Sequence, residues 1–540
     1  MINKIFLILL ALTTGSSCLF SQYQEWVKVY NGSGNSGDEG FKLKVDSQGN
    51  TYVLAKVLST GFNTNIGIIK YDAAGVQQWA VEYNGPANLE DYAADITIDN
   101  NGNSYICGII SQGNSNLDIV TLKYNSAGTQ QWAVTWAGTA QFDDEASAIY
   151  CDDQGNVYVC GSTEVTSGQN YNYITLKYNS SGALQWAKQY SAPINSYDMA
   201  LFIGGEGSNV YITGTSNGQG TGSDFLTIKY NSSGDSSWVV RYNGTTQINE
   251  IPYGFKVDAS GNVYVTGMSQ GLSSGVDYVT IKYNSSGVQQ WLARYTSPGA
   301  SQDIPEGLNI DNAGNVYVTG RTRINSSYND FATVKYNSSG AEQWVAVYNN
   351  NGVDRDDYGY DVIADNQGNV YVTGNSQESG TNRDALTVKY NSAGIEQWVA
   401  RYDGSNADET YSIGLDAAGN VYVAGYNSSP NQNILTIKYS QVNGITQLSN
   451  EIPQRFRLEQ NYHNPFNPVT NIKLQIASKV FVSLKLYDIT GREVKTLVNE
   501  ELQAGIYNVD LDASSMTSGV YFYRLVTKDF SDTKKMILLK

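Results

Sequence analysis

Three independent signals recur along this chain with one common spacing, and no other feature restricts its fold as tightly. The triplet Asn-x-Tyr starts at Asn50, Asn103, Asn156, Asn209, Asn262, Asn315, Asn369 and Asn420, in steps of 51 to 54 residues. A tryptophan keeps step at Trp26, Trp79, Trp132, Trp186, Trp238, Trp291, Trp344 and Trp398, and the pair Lys-Tyr does so at Lys70, Lys123, Lys177, Lys229, Lys282, Lys335, Lys389 and Lys438. A period of this length marks a supersecondary unit that is repeated in space and buries its apolar surface against its neighbours. Each signal has eight copies.

In the copy spanning residues 92–136, segments 94–98, 104–107, 119–124 and 131–136 read as short strands rich in β-branched and aromatic residues. Asp-x-x-Gly-Asn (99–103) and Asn-Ser-x-Gly (125–128) lie between them, with glycine supplying the positive φ of a tight hairpin. A repeated four-stranded meander that cannot cover both of its faces alone predicts the blades of a β-propeller, an all-β fold. The chain enters on a Trp strand (24–30) and ends its repeats on a Lys-Tyr strand (434–439) with no Trp strand behind it. The N-terminal strand is therefore expected to complete the last blade, giving eight four-stranded blades without a free edge.

The 540 residues carry 51 acidic and 34 basic side chains, a formal net charge of −17. That balance argues against nucleic acid, whose phosphates are held by clustered Lys and Arg. The single histidine is His463, so residues 1–462 can supply neither a Ser-His-Asp triad, nor a Cys-His pair, nor a histidine-ligated metal. Lys4, the apolar run 5–12 and small residues up to position 22 predict a secretory signal peptide over 1–21, too short in its apolar part to span a bilayer. Cys18 would suit a lipoprotein, but Gly15 stands where an aliphatic residue is usual. Cys107, Cys151 and Cys160 are odd in number and too few for a disulfide scaffold, so at least one thiol should stay unpaired. No transmembrane run follows. The expected division is a signal peptide (1–21), the propeller (22–440), a polar linker (441–453) and a small β-sandwich (454–540) with alternating strands near 480–486 and 519–525.

Short uniform turns should pave one face of the propeller, while longer connections such as 84–93 and 110–118 differ in every copy and form the face where binding is expected. Eight residues before the turn Asp an acid recurs, at Asp38, Asp91, Asp144, Glu250, Asp303, Asp357 and Asp408; the fourth unit has Tyr197 there with Asp198 beside it. Eight carboxylates at one channel mouth would form a negative rim. Three readings are open to them: each accepts backbone N–H groups and fixes its own loop, the rim takes a ligand or a cation such as Ca²⁺, or a carboxylate pair does catalysis. No other cofactor is predicted. The aromatic four residues after each Trp shares its strand face and should pack against the neighbouring blade, and the eight Lys should act as surface or inter-blade partners.

The run Asp-x-x-Gly-Asn-Val-Tyr-Val-x-Gly, followed by Thr-x-Lys-Tyr-Asn-Ser-x-Gly-x-x-x-Trp, as in residues 258–291, resembles the SBBP-type β-propeller repeat of bacterial secreted proteins. The likeness covers residues 23–440 and implies the fold but no established activity. The recurring Gly-x-x-x-Trp is also similar to the docking motif of eight-bladed quinoprotein dehydrogenases, although this chain lacks the adjacent Cys-Cys pair of many of those enzymes. Near the C-terminus, Asn461-Tyr-His-Asn-Pro-Phe-Asn-Pro468, Tyr487-Asp-Ile-Thr-Gly-Arg-Glu-Val494, Gly519-Val-Tyr-Phe-Tyr-Arg-Leu525 and Lys534-Lys-Met-Ile-Leu-Leu-Lys540 resemble the C-terminal sorting domain of the type IX secretion system. His463 stands where that family usually has proline. The resemblance implies a bacterium with a two-membrane envelope, the secretion machinery as partner of residues 454–540, a secreted or outer-membrane-surface location, and removal of the domain near the linker. The expected function is a secreted or surface-held binding scaffold that engages a glycan, polymer or protein through the variable-loop face. The alternative is an extracellular carbohydrate-active hydrolase or lyase that works with carboxylates.

Overall fold

Strands joined by tight turns make up the computed structural model, which describes residues 23–540 apart from 36, 62, 114–115, 139–141, 167–169, 193–196, 245–248, 272–274, 299–301, 325–327, 351–354, 378–381, 441–444, 450, 514–515 and 540. The expected signal peptide, with Cys18, lies outside the described residues. No helix among them is long and apolar enough to cross a membrane. The described chain divides into two units, Tyr23–Gln441 and Val442–Lys540.

In the first unit the described strands form eight four-stranded antiparallel sheets. Seven are meanders of consecutive strands, such as Glu39–Val45, Thr51–Leu58, Thr64–Tyr71 and Gln77–Tyr83. The eighth joins Asp408–Leu415, Val421–Asn427 and Asn433–Ser440 to an outermost strand, Tyr23–Tyr30, taken from the other end of the repeats. That strand pairs from Tyr23↔Ser440 to Tyr30↔Ile434. The first strands of successive sheets touch in chain order, and the last of them, Asp408–Leu415, touches the first, Glu39–Val45. These eight strands therefore surround a common axis and line its channel.

A lone sheet leaves two apolar faces wet, so each sheet shares a core with the next. Leu54, Ile66 and Ile68 of the first sheet pack with Ile96, Ile106 and Val120 of the second, and Leu43, Val53 and Val57 of the first pack with Tyr422, Ala424 and Ile434 of the eighth. The recurring Trp and Lys form the joints. Trp79 Nε1 and Lys70 Nζ both donate to the Ser126 carbonyl in the turn of the second sheet, at 3.1 Å each. The Lys70 ammonium also lies 4.7 Å over the Tyr52 ring, and all eight lysines repeat this contact at 4.7–5.5 Å. The indole covers Gly128, where φ is +79° and a Cβ would come within 2.7 Å of the ring. At the closing joint Trp26 and Lys438, from opposite ends of the repeats, both reach the Ala73 carbonyl, at 3.2 and 2.9 Å.

The aromatic four residues after each Trp does more than face the neighbouring blade. Tyr83 packs on the core of the second sheet. Tyr190, Tyr242, Tyr295 and Tyr348, however, also meet a ring of their own sheet, Tyr173, Phe225, Tyr278 and Phe331, with centroids 5.0–6.0 Å apart. The reason is register: Tyr173 pairs directly with Tyr190, and the others match. Cys107, Cys151 and Cys160 are all free thiols.

The second unit is a sandwich of two four-stranded sheets whose core includes Ile472, Leu474, Leu484, Leu486, Tyr523 and Leu538. Part of the stretch expected as linker belongs to it. Ile445–Ser449 pairs with Gly505–Asp512, beginning at Ile445↔Val509, because that strand would otherwise be an open sheet edge. His463 is exposed at its ring, and its carbonyl accepts from Asn461 Nδ2 at 2.8 Å and Thr470 Oγ1 at 2.9 Å.

Candidate functional site

The eight recurring acids do not form a solvent-facing rim. Asp38, Asp91, Asp144, Asp198, Glu250, Asp303, Asp357 and Asp408 are each at most 1% exposed. Their carboxyls turn inward and accept backbone N–H groups at the base of the preceding variable loop. The donors are Gly32, Gly85, Gly138, Ala192, Ser297, Asn350 and Gly404 for the seven aspartates, at 2.5–3.2 Å, and Gly244 for Glu250. Thr322, Ser376 and Asn427 on the second strands add donors to Asp303, Asp357 and Asp408. Five of the eight donors are glycines, and at these the approach is close: a Cβ on Gly85 would lie 2.8 Å from Asp91 Oδ1. Among the described residues no group of three or more His, Cys, Asp or Glu is arranged to hold a metal ion.

In the fourth sheet Asp198 plays this part and Tyr197 does not. The turn there is short, with Glu206 pairing directly with Asn209, so the acid sits one residue nearer to it in sequence. Tyr197, 47% exposed, stacks instead on Tyr171 at 5.1 Å.

Burial raises the carboxyls of Asp144 and Asp357 to about 6 and that of Glu250 to about 7. Unfolded carboxyls titrate near 4, so between pH ~4 and ~7 the native state binds protons that the unfolded chain has lost. The stability these groups contribute is complete below pH ~4 and is lost as pH rises to ~7. The melting temperature of the propeller should accordingly fall across that window, and Glu250→Gln should flatten the decline above pH ~6. A melting temperature that rises from pH 5 to 7 would contradict this.

The exposed chemistry at the variable-loop end lies elsewhere, on the first, seventh and eighth sheets. Each innermost strand slips register by one residue at the same place, between Gly40 and Lys42, Gly359 and Asp361, and Thr410 and Ser412. Such bulges re-aim the extra side chain, here Phe41, Tyr360 and Tyr411. Tyr411 Oη donates to Glu409 Oε2 at 3.2 Å and lies beside the Glu39 carboxyl, so one hydroxyl stands between two carboxyls. Tyr360 Oη reaches the same Glu409 oxygen at 3.3 Å, and Arg383 Nη1 meets its other oxygen at 3.1 Å. The rings form a chain: Tyr358 and Tyr360 are parallel within 6° at 6.0 Å, Tyr360 meets Tyr411 at 5.2 Å, and Tyr411 meets Tyr426 at 6.0 Å. Arg383 also lies 5.3 Å over Tyr358.

All four tyrosines are half-buried, whereas Glu409 is 5% exposed. Burial, with the charge of Glu409 and against Lys56 and the Tyr411 hydroxyl, raises the Glu39 carboxyl above its usual range. Burial and then Glu409 push the Tyr426 hydroxyl up to about 12. The cluster thus presents flat aromatic faces, fixed hydroxyls, one guanidinium and two neighbouring carboxyls. None of these residues recurs in all units, so a search for periodic positions passes over them. Their signal was the opposite one: aromatic and polar residues that coincide in units seven, eight and one, while Tyr92, Glu145 and Tyr253 hold single positions of the set in other units.

Comparisons with known proteins place both halves of the chain. Residues 460–539 match the family described as secretion system C-terminal sorting domain, and residues 351–380 match the β-propeller repeat of the SBBP type. The chain is thus a β-propeller repeat protein with a type IX sorting domain, and that domain directs it out of a Gram-negative cell, to the surface or the medium. An uncharacterised WD repeat-containing protein of Acanthamoeba polyphaga mimivirus is 24% identical over 62% of this chain; the chain spans 28% of that protein's length. Among solved structures, a protein of unknown function from Bacteroides caccae aligns with TM-score 0.32 at 11% identity, covering 58% of this chain and 94% of that one. A fungal alcohol oxidase of the AA5 family, in complex with copper, aligns with TM-score 0.40 at 10% identity over 96% of this chain and all of that one.

Proposed function

We propose that the exported propeller is a binding scaffold and that the Tyr358–Tyr360–Tyr411–Tyr426 cluster is its glycan-binding surface. The observation that supports this is the run of half-buried rings with hydrogen-bonding groups between them. Sugar rings offer apolar C–H faces for aromatic stacking and hydroxyls at their edges, which Glu39, Glu409 and Arg383 can pair. A rival reading rests on Glu39 and Glu409 flanking the Tyr411 hydroxyl, since a pair of carboxyls can supply the acid and the base of glycosidic hydrolysis.

One experiment separates the two. The full chain is screened on a glycan array, and its best ligand is then titrated and assayed for turnover. Tyr411→Ala should weaken binding by at least about tenfold, or ~1.4 kcal/mol, while Tyr197→Ala, on the fourth sheet, should leave it unchanged. Turnover that disappears in Glu39→Gln while binding persists would replace the scaffold by the hydrolase. Binding that survives Tyr411→Ala would remove this cluster from either role.

A further inference from the structure

A polar cavity of about 410 Å³ opens on the uniform-turn face between the first and second sheets, a size within the roughly 300–1,000 Å³ of small-molecule sites. Its walls come from the turns that follow the innermost strands of those sheets, 46–50 and 99–102. Buried Tyr52 and Lys70 and half-buried Ile98 add to the lining. The strand Glu39–Val45 has this cavity at its Val45 end and the Glu39 of the tyrosine cluster at the other, so the two places are separate.

Two departures from the repeat open this joint. In the sixth and seventh sheets the residues one past the turn acid, Asn312 and Asn366, span the joint with an Nδ2 to Oδ1 hydrogen bond of 3.0 Å. The corresponding pair here is Ser47 and Asn100, and neither side chain has a hydrogen bond among the described residues. Serine is one bond shorter than asparagine, so the gap between the turns is not bridged. The second departure is at Tyr52. Tyr105, Tyr158, Tyr264, Tyr317, Tyr371 and Tyr422, at the same position, each donate to the Oδ2 of their own turn acid at 2.9–3.2 Å. Tyr52 Oη donates instead to the Gly102 carbonyl of the second sheet at 3.1 Å. Asp46 Oδ1 still accepts the Gln48 and Asn50 amides at 2.9 Å, but its Oδ2 has Asn50 Nδ2, at 2.7 Å, as its one partner among the described residues. The cavity therefore holds a carboxylate oxygen without the hydroxyl that its counterparts have.

We propose that this cavity is a binding site for one neutral hexose unit, free or at the end of a glycan. The lining selects by charge. An anion entering it meets the carboxylates of Asp46 and Asp99, and a cation meets the Lys70 ammonium, which uses one N–H for the Ser126 carbonyl at 3.1 Å. A sugar hydroxyl both donates and accepts, so it suits the carboxylates as well as the side-chain amides of Gln48, Asn100 and Asn101. Val45 and Ile98 supply apolar surface for the C–H side of the ring.

The test uses the full chain. Saturation-transfer NMR and calorimetric titration are run with D-glucose, D-galactose, D-mannose and N-acetyl-D-glucosamine, and with D-glucuronate and D-glucosamine as charged counterparts; the methyl glycoside and a disaccharide of the best binder distinguish a free sugar from a chain end. At least one neutral sugar should bind saturably, about tenfold more tightly than either charged one. Asn100→Ala should weaken it by about tenfold, and Ser47→Trp, which fills the cavity, should abolish it. Neither side chain carries a hydrogen bond, so both variants should keep the parent's melting temperature, and the Asn100→Ala result stands alone if Ser47→Trp does not fold. Ala259→Trp, at the position of Ser47 in the fifth sheet, and Tyr411→Ala should bind these sugars as the parent does. The proposal is overturned if no neutral sugar saturates, if the charged sugars bind as tightly, or if Asn100→Ala and Ser47→Trp bind like the parent. A loss seen in Tyr411→Ala and not in these two would overturn it as well, by assigning the sugar to the tyrosine cluster.

Discussion

Removing residues 23–30 is expected to unfold the propeller, not merely to trim its edge. The strand Tyr23–Tyr30 supplies the whole outer edge of the eighth sheet, and with it Trp26, which is 9% exposed and meets Tyr71 of the first sheet and Tyr422 of the eighth at 6.0 Å each. Glu25 is lost as well, leaving Lys438 without its 3.0 Å ion pair at 6% side-chain exposure. The strand Asn433–Ser440 would be left as an open, apolar edge facing solvent, a template for aggregation. Truncation should therefore give an aggregating product or a melting temperature lower by at least about 10 °C, since each kcal/mol moves a large domain by only a few degrees. Trp26→Ala alone should cost about 3–5 kcal/mol in chemical denaturation. A synthetic peptide of residues 23–33 added in trans should restore part of the loss by pairing with the open edge. A truncated chain that melts with the parent would show that the ring does not depend on this strand.

The repeated parts of the fold were legible because each recurring residue performs one mechanical task in every sheet. Trp79, Lys70 and Gly128 share a single joint, so their common period announced both the unit and its contact with the next. The phase of that period was enough to pair the N-terminal strand with Asn433–Ser440. For the acids, spacing was legible and direction was not. Whether a carboxylate faces the channel or turns under a loop depends on donors within reach, and one was readable: in several units a glycine two residues after the outer aromatic, such as Gly32, Gly85 and Gly404, lies at the loop base. The tyrosine cluster was illegible for the converse reason. Tyr360, Tyr411, Glu39 and Glu409 come together only when the seventh and eighth sheets are brought round to the first, and nothing periodic marks them. The strand Ile445–Ser449 has too short an alternating pattern to be told from linker without its partner.

Asp303→Ala should be the most destabilising single change among the recurring acids, and the comparison with Asp303→Asn tests what these residues do. Asp303 has no exposed surface; its Oδ2 accepts the Ser297 N–H at 2.7 Å and its Oδ1 the Thr322 hydroxyl at 2.6 Å. Alanine leaves both donors buried and unpaired, each costing about 1–3 kcal/mol, so a loss of about 3 kcal/mol or more is expected in denaturant titration. Asparagine keeps one acceptor oxygen but turns an NH₂ toward the other donor, which places its expected loss between alanine and the parent. If the acids served instead as an electrostatic rim for a ligand or cation, either substitution would remove charge repulsion among carboxylates and leave the fold as stable or more so. Equal stability of the parent, the Asn and the Ala proteins would therefore return Asp303 to the list of candidate ligand-binding groups, whereas the graded loss assigns it to anchoring the loop base from which the variable face is displayed.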